Sequence, residues 1–207
     1  MAELRAAVLG AAGYAGGELL RLLLGHPAVG EVRAFSASHA GRPLDAAHPA
    51  LAHLPEGRFE APDPAAAASW ADVLFLALPH GRSQGVMAEI LAADPALVID
   101  LAADFRIDDD ALYRRHYGEH AAPELRSRFV YALADVLGPR LEGRRRLAVP
   151  GCFATAALLG LWPLAAAGLM ETPPVVFAVT GSTGSGAVPG EKTHHPARAN
   201  NFFAYAS

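Results

Sequence analysis

Short apolar runs and turns alternate along the first 150 residues of the chain. Apolar segments at 5–9, 32–35, 73–78, 97–101 and 147–149 each stop at a turn, and helical segments rich in leucine or alanine follow several of them. Such runs are typical of parallel strands that are covered by helices on both faces. The pattern predicts an α/β fold with a doubly wound parallel sheet.

A glycine-rich turn joins the first strand to the first helix. Gly10, Gly13 and Gly16 have the spacing G-x-x-G-x-x-G. Glycines in this position allow a tight turn and let a pyrophosphate approach the backbone at the helix N-terminus. The residues predicted to bind a dinucleotide here are Gly10, Ala11, Ala12, Gly13, Tyr14, Ala15 and Gly16. The domain is therefore predicted to be of the Rossmann type.

The end of the second strand indicates which dinucleotide is bound. NAD-binding folds often carry an Asp or Glu there, about 20 residues past the glycines, to hold the ribose 2′-hydroxyl. In this chain Ser36 and Ser38 follow the strand and Arg42 adds a positive charge. These side chains suit a 2′-phosphate, so we predict that the cofactor is NADP(H).

Further polar residues follow the next strands. Leu78, Pro79 and His80 end the third strand, and Arg106 follows the fourth. Ligands of an open α/β sheet bind outside the carboxyl ends of the strands. We therefore expect these residues to share one site with the glycine-rich turn.

The single cysteine follows the fifth strand. Cys152 comes directly after Pro150 and Gly151, and the alanine- and leucine-rich run behind it predicts a helix to about residue 168. Unpaired N–H groups and the helix dipole favour a thiolate at a helix N-terminus, and a thiolate can attack an acyl carbon. Cys152 is predicted to be a catalytic nucleophile; an inert, packed cysteine is the alternative.

The character of the chain changes after residue 150. Residues 175–180 predict a strand, 181–186 predict a flexible loop, and 201–207 form an apolar stretch. We expect residues 1–150 to form an NADP-binding domain. Residues 151–207 are expected to begin a second domain, which is truncated here.

Composition narrows the class of protein. The 207 residues are 52% hydrophobic and 18% charged, which is typical of a globular chain with a substantial core. The net charge is −4, and the basic run Arg144 to Arg146 is predicted to be a solvated turn, so no nucleic-acid partner is expected. His116 and His120 are predicted to lie on a polar helix surface, and no metal is expected. The lone cysteine and the absence of a long apolar run or signal pattern predict a cytoplasmic protein without membrane contact.

Four segments of the sequence occur in the order known from one enzyme family. They are Gly10–Leu19, Phe75–Ser83, Val98–Arg106 and Pro150–Thr155. Together they resemble N-acetyl-γ-glutamyl-phosphate reductases of arginine biosynthesis, although the glycine motif alone is shared with aspartate-semialdehyde dehydrogenases. The resemblance implies a Rossmann domain followed by an α/β domain of the semialdehyde-dehydrogenase type, in a homo-oligomer (dimer or tetramer). It also implies that the second domain, which begins in residues 151–207, serves catalysis and dimerisation.

The resemblance also implies a reaction. Cys152 would attack the γ-acyl phosphate, phosphate would leave, and hydride from NADPH would reduce the thioester to N-acetylglutamate 5-semialdehyde. Arg106 would clamp a substrate carboxylate or the phosphate, while His80 and the loop at 181–186 would border cofactor and substrate. The residues assigned in this way are Gly181 and Ser182 to the cofactor, and Thr155 and Ser185 to the substrate.

The sequence departs from the family pattern in two places. Val149 stands where the family commonly has Asn, and the chain ends near Tyr205, before the family's catalytic histidine. His194 and His195 are possible substitutes, but we expect the true residue to be missing and turnover to be poor. Three alternatives stay open: the same chemistry on a carrier-linked aminoadipyl phosphate, the same chemistry on aspartyl phosphate, and a non-catalytic NADP-binding fragment.

Overall fold

The computed structural model describes residues 3–53, 57–187, 190, 196 and 199–201. The chain divides into two compact units, residues 1–175 and 176–207. The domain boundary predicted at residue 150 stays a prediction.

The first unit is built on one parallel sheet. Its strands are β1 (Leu4–Leu9), β2 (Val29–Phe35), β3 (Phe59–Glu60), β4 (Val73–Leu76), β5 (Leu97–Asp100), β6 (Val130–Tyr131) and β7 (Arg146–Ala148). They are ordered β3-β2-β1-β4-β5-β7-β6, and every neighbouring pair is parallel. The order reverses between β1 and β4, which is the arrangement of a doubly wound Rossmann sheet. The predicted fold class is confirmed.

Helices connect these strands. The α-helices are α1 (Tyr14–Leu24), α2 (Pro64–Trp70), α3 (Ser83–Ala92), α4 (Asp110–Tyr117), α5 (Ala134–Leu137) and α6 (Cys152–Ala166). Short 3-10 helices span Leu44–Ala46, Pro49–Leu51, Pro123–Arg128, Gly138–Leu141 and Ser182–Ser185. Among the helices in the described part of the chain, none is long and apolar enough to cross a lipid bilayer.

Both faces of the sheet are covered by apolar packing. In β1, Ala7 and Leu9 face one cluster, which includes Met87 and Ile90 of α3. Val8 faces the opposite cluster, together with Leu20 of α1. Because successive strand residues point to opposite faces, an almost continuous apolar strand is what a doubly covered sheet requires.

The strand predicted at residues 175–180 does not form. The structure gives no regular secondary structure between residues 172 and 181, and Val175 and Phe177 are 99% and 85% exposed. A strand is held by hydrogen bonds to a neighbour, and none of the described residues pairs with this segment. The loop predicted at 181–186 contains the 3-10 helix Ser182–Ser185.

Two further local predictions were wrong. Arg146 is not in a solvated turn; it begins β7 with 8% exposure, and its Nη1 donates to the Pro95 carbonyl at 3.0 Å. His120 does not share a helix face with His116, because α4 ends at Tyr117. Among the described residues, no group of three His, Cys, Asp or Glu side chains is arranged to hold a metal ion.

Candidate active site

The glycine-rich turn after β1 has a shape that only glycine permits. Gly10 has φ +81°, and a Cβ atom there would lie 2.5 Å from the carbonyl oxygen of Ala77. A Cβ atom at Gly16 would lie 2.6 Å from the Gly10 carbonyl oxygen. Gly13 is the N-cap of α1 and no side chain caps this end, so the first N–H groups of the helix remain available to an anion. The cradle therefore fits the pyrophosphate of a dinucleotide.

The turn is tied to the end of the second strand. The amides of Gly10 and Ala11 both donate to the Phe35 carbonyl, at 3.1 and 3.0 Å. Ala11 is buried, whereas Tyr14 is 52% exposed beside the helix N-terminus. Ala12 and Gly13 are half-buried and Ala15 is exposed.

The hydroxyl groups predicted to hold a 2′-phosphate follow Phe35 directly. Ser36 is buried, and its Oγ lies 3.4 Å from the Oγ of Ser38, which lies 2.9 Å from Nδ1 of His39. Arg42 has an exposed side chain and its carbonyl accepts from the Phe59 amide at 2.9 Å. The segment thus presents polar groups next to the glycine-rich turn, and the roles of Ser36, Ser38 and Arg42 stay predictions.

His80 lies in the turn after β4 with one ring nitrogen already engaged. Its Nδ1 accepts from the Ala103 amide at 2.8 Å, so the proton of the neutral ring is on Nε2. Burial lowers the pKa of His80, and the charge of Arg106 lowers it further. The ring is therefore a neutral donor at neutral pH. Leu78 is half-buried and Pro79 is exposed in the same turn.

Asp104 holds the turn that carries His80, and the sequence reasoning missed it. The side chain is buried; Oδ1 accepts from the Gly81 amide at 2.7 Å and Oδ2 from the Gln84 amide at 3.0 Å. Its backbone carbonyl accepts from Nε2 of His120 at 2.9 Å. The sequence signal that could have identified it is an acidic residue inside the apolar stretch after β5.

Asp100 is a second buried acid that was missed. It is 0% exposed, and its Oδ1 accepts from Ser83 Oγ at 2.8 Å and from the Ala102 amide at 3.0 Å. Its Oδ2 is buried without a hydrogen-bond partner. Burial raises the pKa of Asp100 from 3.8 to about 6.

Arg106 connects the end of β5 to the turn before Cys152. Its Nε donates to the Val149 carbonyl at 2.7 Å, and its Nη2 donates to the Leu101 carbonyl at 2.6 Å. The remaining nitrogen, Nη1, lies 3.1 Å from where a Cβ atom of Gly151 would be. The guanidinium therefore positions the backbone with two nitrogens, which leaves Nη1 for the predicted contact with an anion.

Cys152 is the first residue of α6 and is exposed. Gly151 is the N-cap without a side-chain cap, and its carbonyl accepts from the Thr155 amide at 2.8 Å. Thr155 is half-buried and follows Cys152 by three residues, so both lie on the same side of the helix. The thiol is open to a small molecule at a helix N-terminus that has no side-chain cap, and its catalytic role stays a prediction.

The remaining predicted site residues belong to the second unit. Gly181, Ser182 and Ser185 are exposed there, and their predicted contacts with cofactor and substrate stay predictions. His194, His195 and Tyr205 lie outside the described residues.

Two family models match the chain. The NAD binding domain of semialdehyde dehydrogenases matches residues 5–137, which include the glycine-rich turn and the strand ends described above. The chain belongs to the semialdehyde dehydrogenase family. The dimerisation domain of semialdehyde dehydrogenases matches residues 152–207 and begins at Cys152.

Curated relatives point to one branch of this semialdehyde dehydrogenase family. An N-acetyl-gamma-glutamyl-phosphate reductase of Methanopyrus kandleri is 43% identical over 96% of this chain and 58% of that protein. One of Mycobacterium avium is 48% identical over 88% of this chain and 53% of that protein. The chain thus spans about half the length of the curated relatives it matches. The resemblance found in the four sequence segments is confirmed.

Solved structures agree with the semialdehyde dehydrogenase fold. Aspartate semialdehyde dehydrogenase II of Vibrio cholerae, complexed with ASA, is 19% identical, with a TM-score of 0.57 over 80% of this chain and 47% of that chain. The aspartate semialdehyde dehydrogenase of Candida albicans with NADP is 18% identical, with a TM-score of 0.58 over 82% of this chain and 48% of that chain. At this level of identity the similarity concerns the fold alone.

Proposed function

We propose that this protein reduces N-acetyl-γ-glutamyl phosphate to N-acetylglutamate 5-semialdehyde and phosphate, with NADPH as reductant, in the cytoplasm. The observation that carries the proposal is an exposed cysteine at a helix N-terminus without a side-chain cap. This helix follows β7 and the glycine-rich turn follows β1, so both lie at the carboxyl ends of strands in one parallel sheet. The names of the curated relatives support the N-acetyl-γ-glutamyl group over an aminoadipyl or aspartyl group. The similarity to aspartate semialdehyde dehydrogenases concerns the fold alone.

Cys152 carries the covalent chemistry in this proposal. Its Sγ, as a thiolate, forms a bond to the γ-acyl carbon, and the bond from that carbon to the phosphate oxygen breaks, so phosphate leaves with the electron pair. Bound NADPH supplies the hydride that reduces the resulting thioester. Breaking the carbon–sulfur bond then releases the aldehyde and restores the thiolate.

In this proposal the other site residues bind and orient the cofactor and the substrate. The turn from Gly10 to Gly16 holds the pyrophosphate, and Leu78 and Pro79 border the cofactor. In this proposal Nη1 of Arg106 and the Nε2–H of His80 hydrogen-bond anionic oxygens of the substrate or cofactor. Both act at a fixed position, because their other nitrogens are engaged by the backbone.

Further residues are assigned to the cofactor and the substrate in this proposal. Ser36, Ser38 and Arg42 hold the 2′-phosphate, which favours NADP(H) over NAD(H). Thr155 and Ser185 contact the substrate, and Gly181 and Ser182 contact the cofactor. The match to a dimerisation domain supports a homo-oligomer, dimer or tetramer.

Alkylation of the single cysteine tests the proposal. Iodoacetamide should modify Cys152 rapidly, NADPH should slow the modification, and NADH at the same concentration should protect less. The C152S variant, which has no thiol, is the control for the mass increase. Slow alkylation that is indifferent to a cofactor shown to bind would contradict the nucleophile role, and equal protection by NADH would contradict the preference for NADP(H).

The substrate is tested in the reverse direction. NADP⁺ and phosphate are supplied with either N-acetylglutamate 5-semialdehyde or aspartate semialdehyde, and the formation of NADPH is measured. We expect formation of NADPH with the acetylated aldehyde alone, at the low rate that the poor turnover predicted from the sequence implies. A faster reaction with aspartate semialdehyde would overturn the substrate assignment.

A further inference from the structure

His48 contacts the glycine-rich turn from a distant part of the sequence. It lies between the 3-10 helices Leu44–Ala46 and Pro49–Leu51, on the segment that joins β2 to β3. Its Nε2 lies 2.8 Å from the carbonyl oxygen of Ala11. A carbonyl oxygen can only accept, so Nε2 carries the proton and donates.

This hydrogen bond satisfies a group that water does not reach. Ala11 is 0% exposed, and its amide already donates to the Phe35 carbonyl at 3.0 Å. A buried carbonyl without a partner is costly, so the orientation of the Ala11 peptide depends on the donor that faces it. That donor is His48.

The imidazole fits because α1 has a glycine where it passes. A Cβ atom at Gly17 would lie 2.5 Å from both Cε1 and Nδ1 of His48. Gly17 is not required by the G-x-x-G-x-x-G spacing, which ends at Gly16. On another side the ring of Phe59 meets the imidazole edge-on, with 6.1 Å between the ring centroids. The ring is thus confined by packing as well as by its hydrogen bond.

We propose that His48 is a positioning residue that holds the glycine-rich turn in the conformation that binds the pyrophosphate of NADP(H). The inference rests on the proposed function, because it assumes that the turn binds this cofactor. The segment that carries His48 also carries Ser38 and Arg42, so one stretch of chain shapes both phosphate-binding ends of the cofactor site. A turn held in its binding conformation before the cofactor arrives has less conformational entropy to lose on binding.

Two substitutions separate the hydrogen bond from the packing of the ring. H48F keeps an aromatic ring against Gly17 and Phe59 but removes the donor, whereas H48Q places an amide N–H near the position of Nε2. The dissociation constant of NADPH is measured by fluorescence titration, below the thermal transition of every variant. We expect H48F to weaken binding about tenfold, which corresponds to about 1.4 kcal/mol, and H48Q to bind close to wild type. H53F, at an exposed histidine on the same segment, is the matched control and should leave binding unchanged.

The contact between His48 and the Ala11 carbonyl can also be tested in the absence of cofactor. Hydrogen exchange in the peptide that spans residues 10–24 should be faster in H48F than in H48Q and in wild type. The G17A substitution should displace the ring and weaken NADPH binding, and combining it with H48F should add little, because both changes act on one contact.

Several results would overturn the inference. These are wild-type affinity in H48F, equal losses in H48F and H48Q, or unchanged hydrogen exchange in the cofactor-free H48F protein. The exchange measurement tests the contact whether or not NADPH binds. Faster exchange in H48F, together with no NADPH binding by the wild-type protein, would overturn the proposed function and leave His48 only a contact of the turn.

Discussion

Asp100 should make the stability of the protein fall as pH rises from acid to neutral. Its side chain is 0% exposed and Oδ2 has no hydrogen-bond partner, so the ionised carboxylate is poorly compensated. Burial raises its pKa from 3.8 to about 6, against the opposing effect of hydrogen bonds from Ala102 and Ser83. The perturbation that tests this is D100N, which cannot ionise.

The sign follows from which state holds the proton. Between pH 3.8 and about 6 the folded protein keeps a proton on Asp100 that the unfolded chain has released. Folding therefore takes up a proton, and the free energy of unfolding decreases as pH rises through this window. The difference between the two pKa values corresponds to about 3 kcal/mol of destabilisation, which is absent below about pH 4 and complete above about pH 6.

Urea unfolding of both proteins, followed by tryptophan fluorescence from about pH 4 to about pH 8, measures this effect. At acid pH we expect D100N to be less stable than wild type, since its amide brings donors to a site without acceptors. Toward neutral pH the stability of D100N relative to wild type should improve by about 3 kcal/mol. Other titrating groups cancel in this comparison. D108N, at an exposed aspartate, is the matched control and should follow wild type. A difference between D100N and wild type that does not change with pH would refute the reasoning.

Two further substitutions test the frame of the site. G10A should lower the free energy of unfolding by more than about 3 kcal/mol and abolish NADPH binding, because its Cβ atom would overlap the Ala77 carbonyl. The control is G41A, since Gly41 has a similar φ of +80° but no neighbouring atom close to an added Cβ; it should lower the free energy of unfolding by only about 1 kcal/mol in the same urea experiment. R106K should lower the thermal midpoint by an amount that corresponds to about 1–3 kcal/mol, since an ammonium cannot bridge the two backbone carbonyls held by Nε and Nη2. R42K, at an exposed position, is the control and should leave the thermal midpoint unchanged. Equal effects within either pair would contradict the assigned contacts.

Most of the fold could be predicted from local patterns in the sequence. The apolar runs of β1, β4 and β5 are continuous because both faces of each strand are buried, and this is visible in the sequence without knowledge of the neighbours. The strained φ of Gly10 and the start of α6 at Cys152 were likewise predictable, since both depend on residues within a few positions. For the same reason the candidate nucleophile and the dinucleotide turn could be named from the chain alone.

Strand pairing determined the elements that local sequence patterns could not predict. The two-residue strands β3 and β6 exist because longer neighbours hold them, whereas the apolar segment at 175–180 has no strand partner among the described residues. Strand propensity describes a side chain, but a strand is stabilised by hydrogen bonds to residues far away in sequence. The sequence contains the propensity and not the partner.

The supporting polar contacts were decided in the same way. Asp104 accepts from the Gly81 amide 23 residues away, and His48 donates to a carbonyl 37 residues away. By itself the sequence determined the order of the strands β1, β2, β4, β5 and β7, the glycine-rich turn and the position of the cysteine, because each follows from adjacent residues. The tertiary structure alone decided which buried acid keeps an oxygen without a hydrogen-bond partner, which carbonyls Arg106 holds and which histidine faces the turn. These depend on distances between segments that only the folded sheet brings together.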